Sequence, residues 1–139
     1  STLSDMQKIE LEMANVYLDI LINSVEITNN LVTNKIIAFL YIHLEDHLNL
    51  EDLASELNLS ISYMSNCFKK NMGISIMKYY KKIKINRAKT LIKSTDKSIL
   101  EISTTLSFCD QCNFSKIFKD IVGCTPIEYR NNYMKKDKA

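Results

Sequence analysis

Apolar residues recur at helical spacing along most of the chain. Met6, Ile9, Met13, Val16, Ile20 and Ile27 follow one another at intervals of three, four or seven residues, after a Ser4–Gln7 pair with the form of a capping box. The spacing predicts a helix of roughly 20 or more residues. Leu11, Leu18 and Leu21 widen the apolar surface beyond one face, so this helix is expected to bury itself on a partner helix or a second subunit. Asn29, Asn30, Thr33 and Asn34 form a polar interruption, where a boundary is expected; a second helix is expected from Ile36 to about Asp46.

Two later segments resemble each other. Leu50-Glu-Asp-Leu53-Ala54-Ser-Glu-Leu57-Asn58-Leu59 precedes Tyr63-Met64-Ser65-Asn66-Cys67-Phe68-Lys69-Lys70, and Ile99-Leu-Glu-Ile102-Ser103-Thr-Thr-Leu106-Ser107-Phe108 precedes Asn113-Phe114-Ser115-Lys116-Ile117-Phe118-Lys119-Asp120. The offset is 49 residues before the turn and 50 after it, so the second copy has one extra turn residue. Each copy has the features of a helix-turn-helix. Two short helices that cross steeply need a small residue at closest approach, supplied by Ala54 and Ser103. Leu53, Leu57, Leu59, Met64 and Phe68 are expected to fill the angle in the first copy, and Ile102, Leu106, Phe108, Phe114 and Phe118 in the second. Asn58 suits a left-handed turn residue, whereas Ser107 at the matching place is expected to be strained where glycine would be easy.

Between the copies, Ile76, Tyr79, Tyr80, Ile83, Arg87, Leu91 and Ile92 recur at three- and four-residue spacing from a Ser75 cap, and residues 94–98 are a polar stop. One linker helix at about 75–94 is expected, spanning roughly 27 to 30 Å, a little less than one turn of B-DNA. After Gly123, a helix C-cap, Thr125 caps and Pro126 opens a last short helix through Tyr129, Arg130 and Tyr133.

Composition sharpens the class. Two glycines and one proline in 139 residues are too few for the turns of a barrel or sandwich, and no window alternates strictly. The fold is expected to be all-α: two helix-turn-helix units joined by a long linker helix and preceded by an N-terminal helix. No stretch approaches a membrane span or a secretory signal, and four cysteines in a chain that is 46% hydrophobic are not needed as staples, so a soluble protein in a reducing cytoplasm is expected. Because Ser1 opens the chain, a processed protein or a piece that follows a sensor domain is expected. Charge is uneven within a net +2: residues 1–49 hold two lysines against seven Asp and Glu, whereas residues 50–139 hold sixteen Lys and Arg against nine acidic residues. A basic C-terminal two-thirds points to a polyanionic partner.

Over about residues 34–134 these features resemble the DNA-binding domain of the AraC/XylS transcription regulators. The most specific stretches are Ile99-x-Glu101-Ile102 through Phe108, Asn113-Phe114-Ser115-Lys116-x-Phe118-Lys119, and Gly123-Cys-Thr125-Pro126-Ile-Glu128-Tyr129-Arg130. Tyr63-Met-Ser65-x-x-Phe68-Lys69-Lys70-x-x-Gly73-x-Ser75 is similarly diagnostic. Ser107 stands where the family usually has glycine, Asp120 where a lysine is common and Lys84 where arginine is usual, so the resemblance implies turn strain and weaker phosphate affinity. It implies a sequence-specific double-stranded DNA-binding transcription regulator, an activator rather than a repressor, that inserts two helices into successive major grooves. RNA polymerase is then an expected partner, no cofactor is expected, and residues 1–33 become an amphipathic dimerisation or interdomain helix, with homodimer contacts through 1–30 and a basic tail at 135–139.

Base reading needs hydrogen-bonding side chains on the exposed face of each second helix. Those expected are Ser62, Ser65 and Asn66 in the first unit and, carried over from the family, Gln111, Cys112, Ser115 and Lys116 in the second. Lys69, Lys70, Lys81, Lys82, Lys119 and Arg130 are candidate phosphate contacts, which set register without reading sequence. Cys109-x-x-Cys112 has a metal-like or redox-like spacing with Cys67 and Cys124 elsewhere, but buried or half-buried thiols are expected. His43 and His47 are expected as a surface pair on one helix face. No catalytic motif, phosphate-cradling glycine loop or metal-spaced carboxylate cluster is present, so an enzyme is not expected. A helical interaction module using residues 1–30, or a thiol-based sensor, are the rival classes.

Overall fold

From Asn49 onward, each helix of this protein begins where the sequence places a side chain able to take up an orphan N–H. A computed structural model describes residues 2–137, and its seven helices bear out the all-α class, with no strand among the described residues. Helix α1 spans Thr2–Ile42, α2 Leu50–Leu57, α3 Ile61–Met72, α4 Ile76–Ser94, α5 Ile99–Thr105, α6 Gln111–Val122 and α7 Pro126–Asp137. Asn49, Ser60, Ser75 and Asp110 accept the N3 amides of α2, α3, α4 and α6. Ser98 with Glu101 and Thr125 with Glu128 form reciprocal capping boxes on α5 and α7. Each such cap contributes on the order of 1 kcal/mol. The last two residues of the expected basic tail, 138–139, lie outside the described residues.

The polar interruption at residues 29–34 does not end a helix, and α1 runs unbroken through it to Ile42. The reason is tertiary. Asn29 and Thr33 lie one turn apart and meet two residues one turn apart on α3: the Cys67 thiol donates to Asn29 Oδ1 at 3.4 Å, and Asn71 Nδ2 donates to Thr33 Oγ1 at 2.8 Å. Polar groups that would favour a turn are satisfied across the helix pair instead. The expected helix from Ile36 to about Asp46 is therefore the end of α1, and His43 and Asp46 belong to the turn beyond it, where they pair through Nδ1 and Oδ2 at 2.5 Å.

Two separate cores lie along the chain. One gathers Ile36 and Leu40 of α1, Leu53 and Ala54 of α2, Met64 and Phe68 of α3, and Ile76, Tyr80 and Ile83 of α4. The other gathers Ile85, Ala88 and Ile92 of α4, Ile99 and Ile102 of α5, Leu106, and Phe114 and Phe118 of α6. Helix α4 thus closes the first unit with its N-terminal half and opens the second with its C-terminal half. The repeat also reaches further than the helix-turn-helix. Phe68 meets Tyr79 edge-on at 5.5 Å, and Phe118 meets Tyr129 edge-on at 5.6 Å, each partner 50 residues from its counterpart. The start of α7 therefore repeats the start of α4.

The turns match as well. Asn58 and Ser107 are both left-handed, at φ 54 and 57, and the amides that follow, Leu59 and Phe108, donate to Ala54 and Ser103 at 3.0 Å in both cases. The expected strain at Ser107 is present. Gly73 and Gly123, at φ 77 and 98, terminate α3 and α6 in a conformation that disfavours any side chain. Ahead of the first core, α1 carries Met6, Ile9, Leu11, Met13, Val16, Leu18 and Leu21 exposed, so the burial expected of this stripe is not met within the chain. No helix among the described residues is long and apolar enough to cross a membrane.

Candidate nucleic-acid interface

Helix α3 is pinned by Met64, Cys67 and Phe68, all buried, which fixes which residues look outward. Ser62, Ser65, Asn66 and Lys69 lie at helical spacing on the remaining surface, Ser65 half-buried and the others exposed. Helix α6 is pinned by Phe114 and Phe118, and Phe114 packs edge-on against Phe108 at 5.0 Å. Its outward set is Cys112, Ser115, Lys116 and Lys119, with Ser115 again half-buried. These are the α3 positions displaced by 50 residues, so the two units present the same stripe geometry with different chemistry. Gln111, half-buried, is the first residue of α6 and corresponds to Ile61 of α3.

Lys69 and Lys70 sit in the last turn of α3 and Lys119 in the last turn of α6, where positive charge complements the helix dipole. Lys81 and Lys82 are exposed on α4. Arg130 is differently placed. It is half-buried, and its guanidinium donates to the carbonyls of Ile92 at 3.4 Å and Thr95 at 3.5 Å, tying α7 to the C-terminal end of α4.

Lys84, which stands where the family usually has arginine, lies outside the expected phosphate contacts and is only 5% exposed. Its Nζ donates to the Asp46 carbonyl at 2.7 Å and the Leu106 carbonyl at 2.5 Å, and lies 4.5 Å from the centroid of the Tyr80 ring. Burial lowers its pKa to about 8, partly opposed by the Asp46 carboxylate. Tyr80, whose hydroxyl lies 2.5 Å from the His43 carbonyl and 2.7 Å from that of Asp46, is pushed up to about 12 by burial and by Asp46. The signal available in the sequence was a lysine between Ile83 and Ile85, at the point where α4 passes from one core to the other.

The cysteines divide. Cys67 is buried as expected and Cys124 half-buried, but Cys109 and Cys112 are exposed, because they flank the N-cap of α6 rather than its packed face. All four are free thiols, and no group of three or more metal-ligating side chains occurs among the described residues.

The fold and the two matched faces define a double helix-turn-helix protein. A family profile described as a helix-turn-helix domain matches residues 53–132. The Msm operon regulatory protein of Streptococcus mutans is 37% identical over 83 residues, which are 60% of this chain and 30% of that protein. The C-terminal domain of AraT, a response regulator from Geobacillus stearothermophilus, superposes with a TM-score of 0.71 at 31% identity, covering 73% of this chain and 84% of that one. The DNA-binding domain of AdpA, crystallised with a target DNA, shares the fold with a TM-score of 0.71 at 20% identity, covering 75% and 94%. The chain belongs to the AraC/XylS family through its C-terminal helix-turn-helix domain. It spans less than half the length of the curated relatives it matches.

Proposed function

We propose that this chain is the sequence-specific, double-stranded DNA-binding part of a cytoplasmic transcription activator, with α3 and α6 entering successive major grooves. The observation that carries this reading is the equivalence of Ser62, Ser65, Asn66 and Lys69 with Cys112, Ser115, Lys116 and Lys119 across one helix, α4, of 19 residues. A helix of that length spans about 28 Å, close to the pitch that separates adjacent major grooves. In this reading Asn66 and Gln111 suit adenine and Lys116 suits guanine, while the serines and Cys112 make weaker base contacts. Lys69, Lys70, Lys81, Lys82 and Lys119 hold phosphates.

Activation requires contact with RNA polymerase, the partner the family resemblance implies. Residues 1–30 pair with a second copy through the exposed stripe of α1, where Met6, Ile9, Met13 and Val16 keep the three-four spacing of a coiled-coil seam. Footprinting on a selected site tests the central claim: two adjacent major grooves are protected over about two turns of duplex. Protection of a single groove would overturn it.

A further inference from the structure

We infer that Lys84 and Ser107 clamp the two units at a fixed rotation about α4, and that this clamp sets the spacing between the two half-sites the chain accepts. The inference rests on the two-groove reading above and adds to it the residues that control its geometry.

The two cores have no buried residue in common. One ends on α4 at Ile83 and the other begins at Ile85. Without further ties, the units would be related only by a single helix, which can curve gently along its length. Lys84 occupies the junction between the cores, and both of its acceptors are backbone carbonyls: Asp46, in the segment that follows α1, and Leu106, at the end of α5. Its ammonium also faces one ring from each unit, Tyr80 at 4.5 Å and Phe108 at 5.7 Å. Ser107 adds a second tie alongside: its Oγ donates to the Glu45 carbonyl at 2.5 Å across 62 residues of sequence. That bond offsets the strain of a serine in a left-handed turn position that glycine would fill without strain.

The turn of the second helix-turn-helix is thereby bonded to the turn between α1 and α2 in the first unit. Three hydrogen bonds to main-chain acceptors leave little freedom for the second unit to swing. Each base pair inserted between half-sites moves the second groove by about 3.4 Å and about 34°. A clamped pair of helices tolerates such a shift poorly, and an unclamped pair follows it.

The test uses the full chain and a panel of duplexes whose half-sites are moved by one or two base pairs either way from the selected spacing. Ser107→Gly keeps the turn conformation and removes only the hydroxyl tie. Lys84→Met keeps the aliphatic stem and removes the ammonium. Asn58→Gly makes the matching change in the first turn, whose residue carries no such bond between units, and serves as the control for added backbone freedom.

For the unaltered chain, one base pair of displacement should weaken binding about tenfold, the scale of a lost specific contact. In Ser107→Gly, and more so combined with Lys84→Met, the penalty should fall to about threefold or less. Asn58→Gly should keep the steep profile. The clamp is refuted if Ser107→Gly, folded by circular dichroism, retains the full tenfold penalty, or if Asn58→Gly flattens the profile equally. Loss of stability with an unchanged profile would likewise reduce Lys84 to a packing role. Should the unaltered chain bind a single half-site as tightly as two, the two-groove reading itself fails, a result distinct from failure of the clamp.

Discussion

Asn58 and Ser107 hold the same place in two turns with nearly the same left-handed backbone, φ 54 and φ 57, but only Ser107 reaches across to the other unit through Glu45. Replacing each by glycine separates strain from bonding. Asn58→Gly should raise unfolding free energy by about 0.5 kcal/mol, the relief of the left-handed penalty less the entropy that glycine brings. Ser107→Gly gains somewhat more from strain relief and loses a hydrogen bond of about 1 kcal/mol, so the two should nearly cancel. Urea denaturation of both variants checks this. A gain above about 1 kcal/mol for Ser107→Gly would mean that the bond to Glu45 contributes nothing.

The basic side chains should sort into two groups. Lys69→Ala and Lys119→Ala should each flatten the slope of log affinity against log salt by about one. Arg130→Ala should leave that slope unaltered and lower thermal stability instead, because its guanidinium binds the end of α4. A salt slope reduced by Arg130→Ala would return this residue to the phosphate footprint.

Stability should depend on alkaline pH in two opposed ways. Lys84 titrates near 8 when folded and near 10.5 otherwise, so between those values the folded chain binds fewer protons and the group makes stability rise with pH. Tyr80 titrates near 12 rather than 10.0, so its contribution is whole below pH 10 and is lost as pH climbs towards 12. Denaturant midpoints compared across this range should show the first rise vanish in Lys84→Met and the later fall shrink in Tyr80→Phe. An unchanged rise in Lys84→Met would show that other groups produce it.

Self-association through α1 should respond to salt in the opposite sense to DNA binding. Asp5, Glu10, Glu12 and Asp19 outweigh Lys8 along the apolar seam, so screening should tighten a pair of these helices while it loosens phosphate contacts. Sedimentation at low and high salt, with and without residues 1–30, measures the effect. Association that weakens as salt rises would argue against helix pairing.

Much of the site could be read in advance because its packing is local. Phe114 and Phe118 recur at helical spacing and settle which side of α6 is outward, whatever the rest of the chain does. The continuity of α1 was not legible, since Asn29 and Thr33 find their partners 38 residues away on α3. Lys84 was hidden for the same reason: its acceptors are carbonyls set by tertiary folding, and no side-chain pattern announces them. The third helix of each repeat is legible in the sequence. Gly73, Ser75 and Tyr79 are followed by Gly123, Thr125 and Tyr129 at an offset of 50, and the paired aromatic contacts follow from that spacing.

Because α4 serves both cores, its length is a setting rather than a tolerance. One residue added between Tyr80 and Ile85 would advance everything downstream by about 1.5 Å and turn it by about 100°. The same addition at Asp96 or Lys97, between α4 and α5, would be absorbed as a slightly larger loop. Insertions and deletions in this protein are therefore admissible at its surface connections and forbidden inside its central shaft.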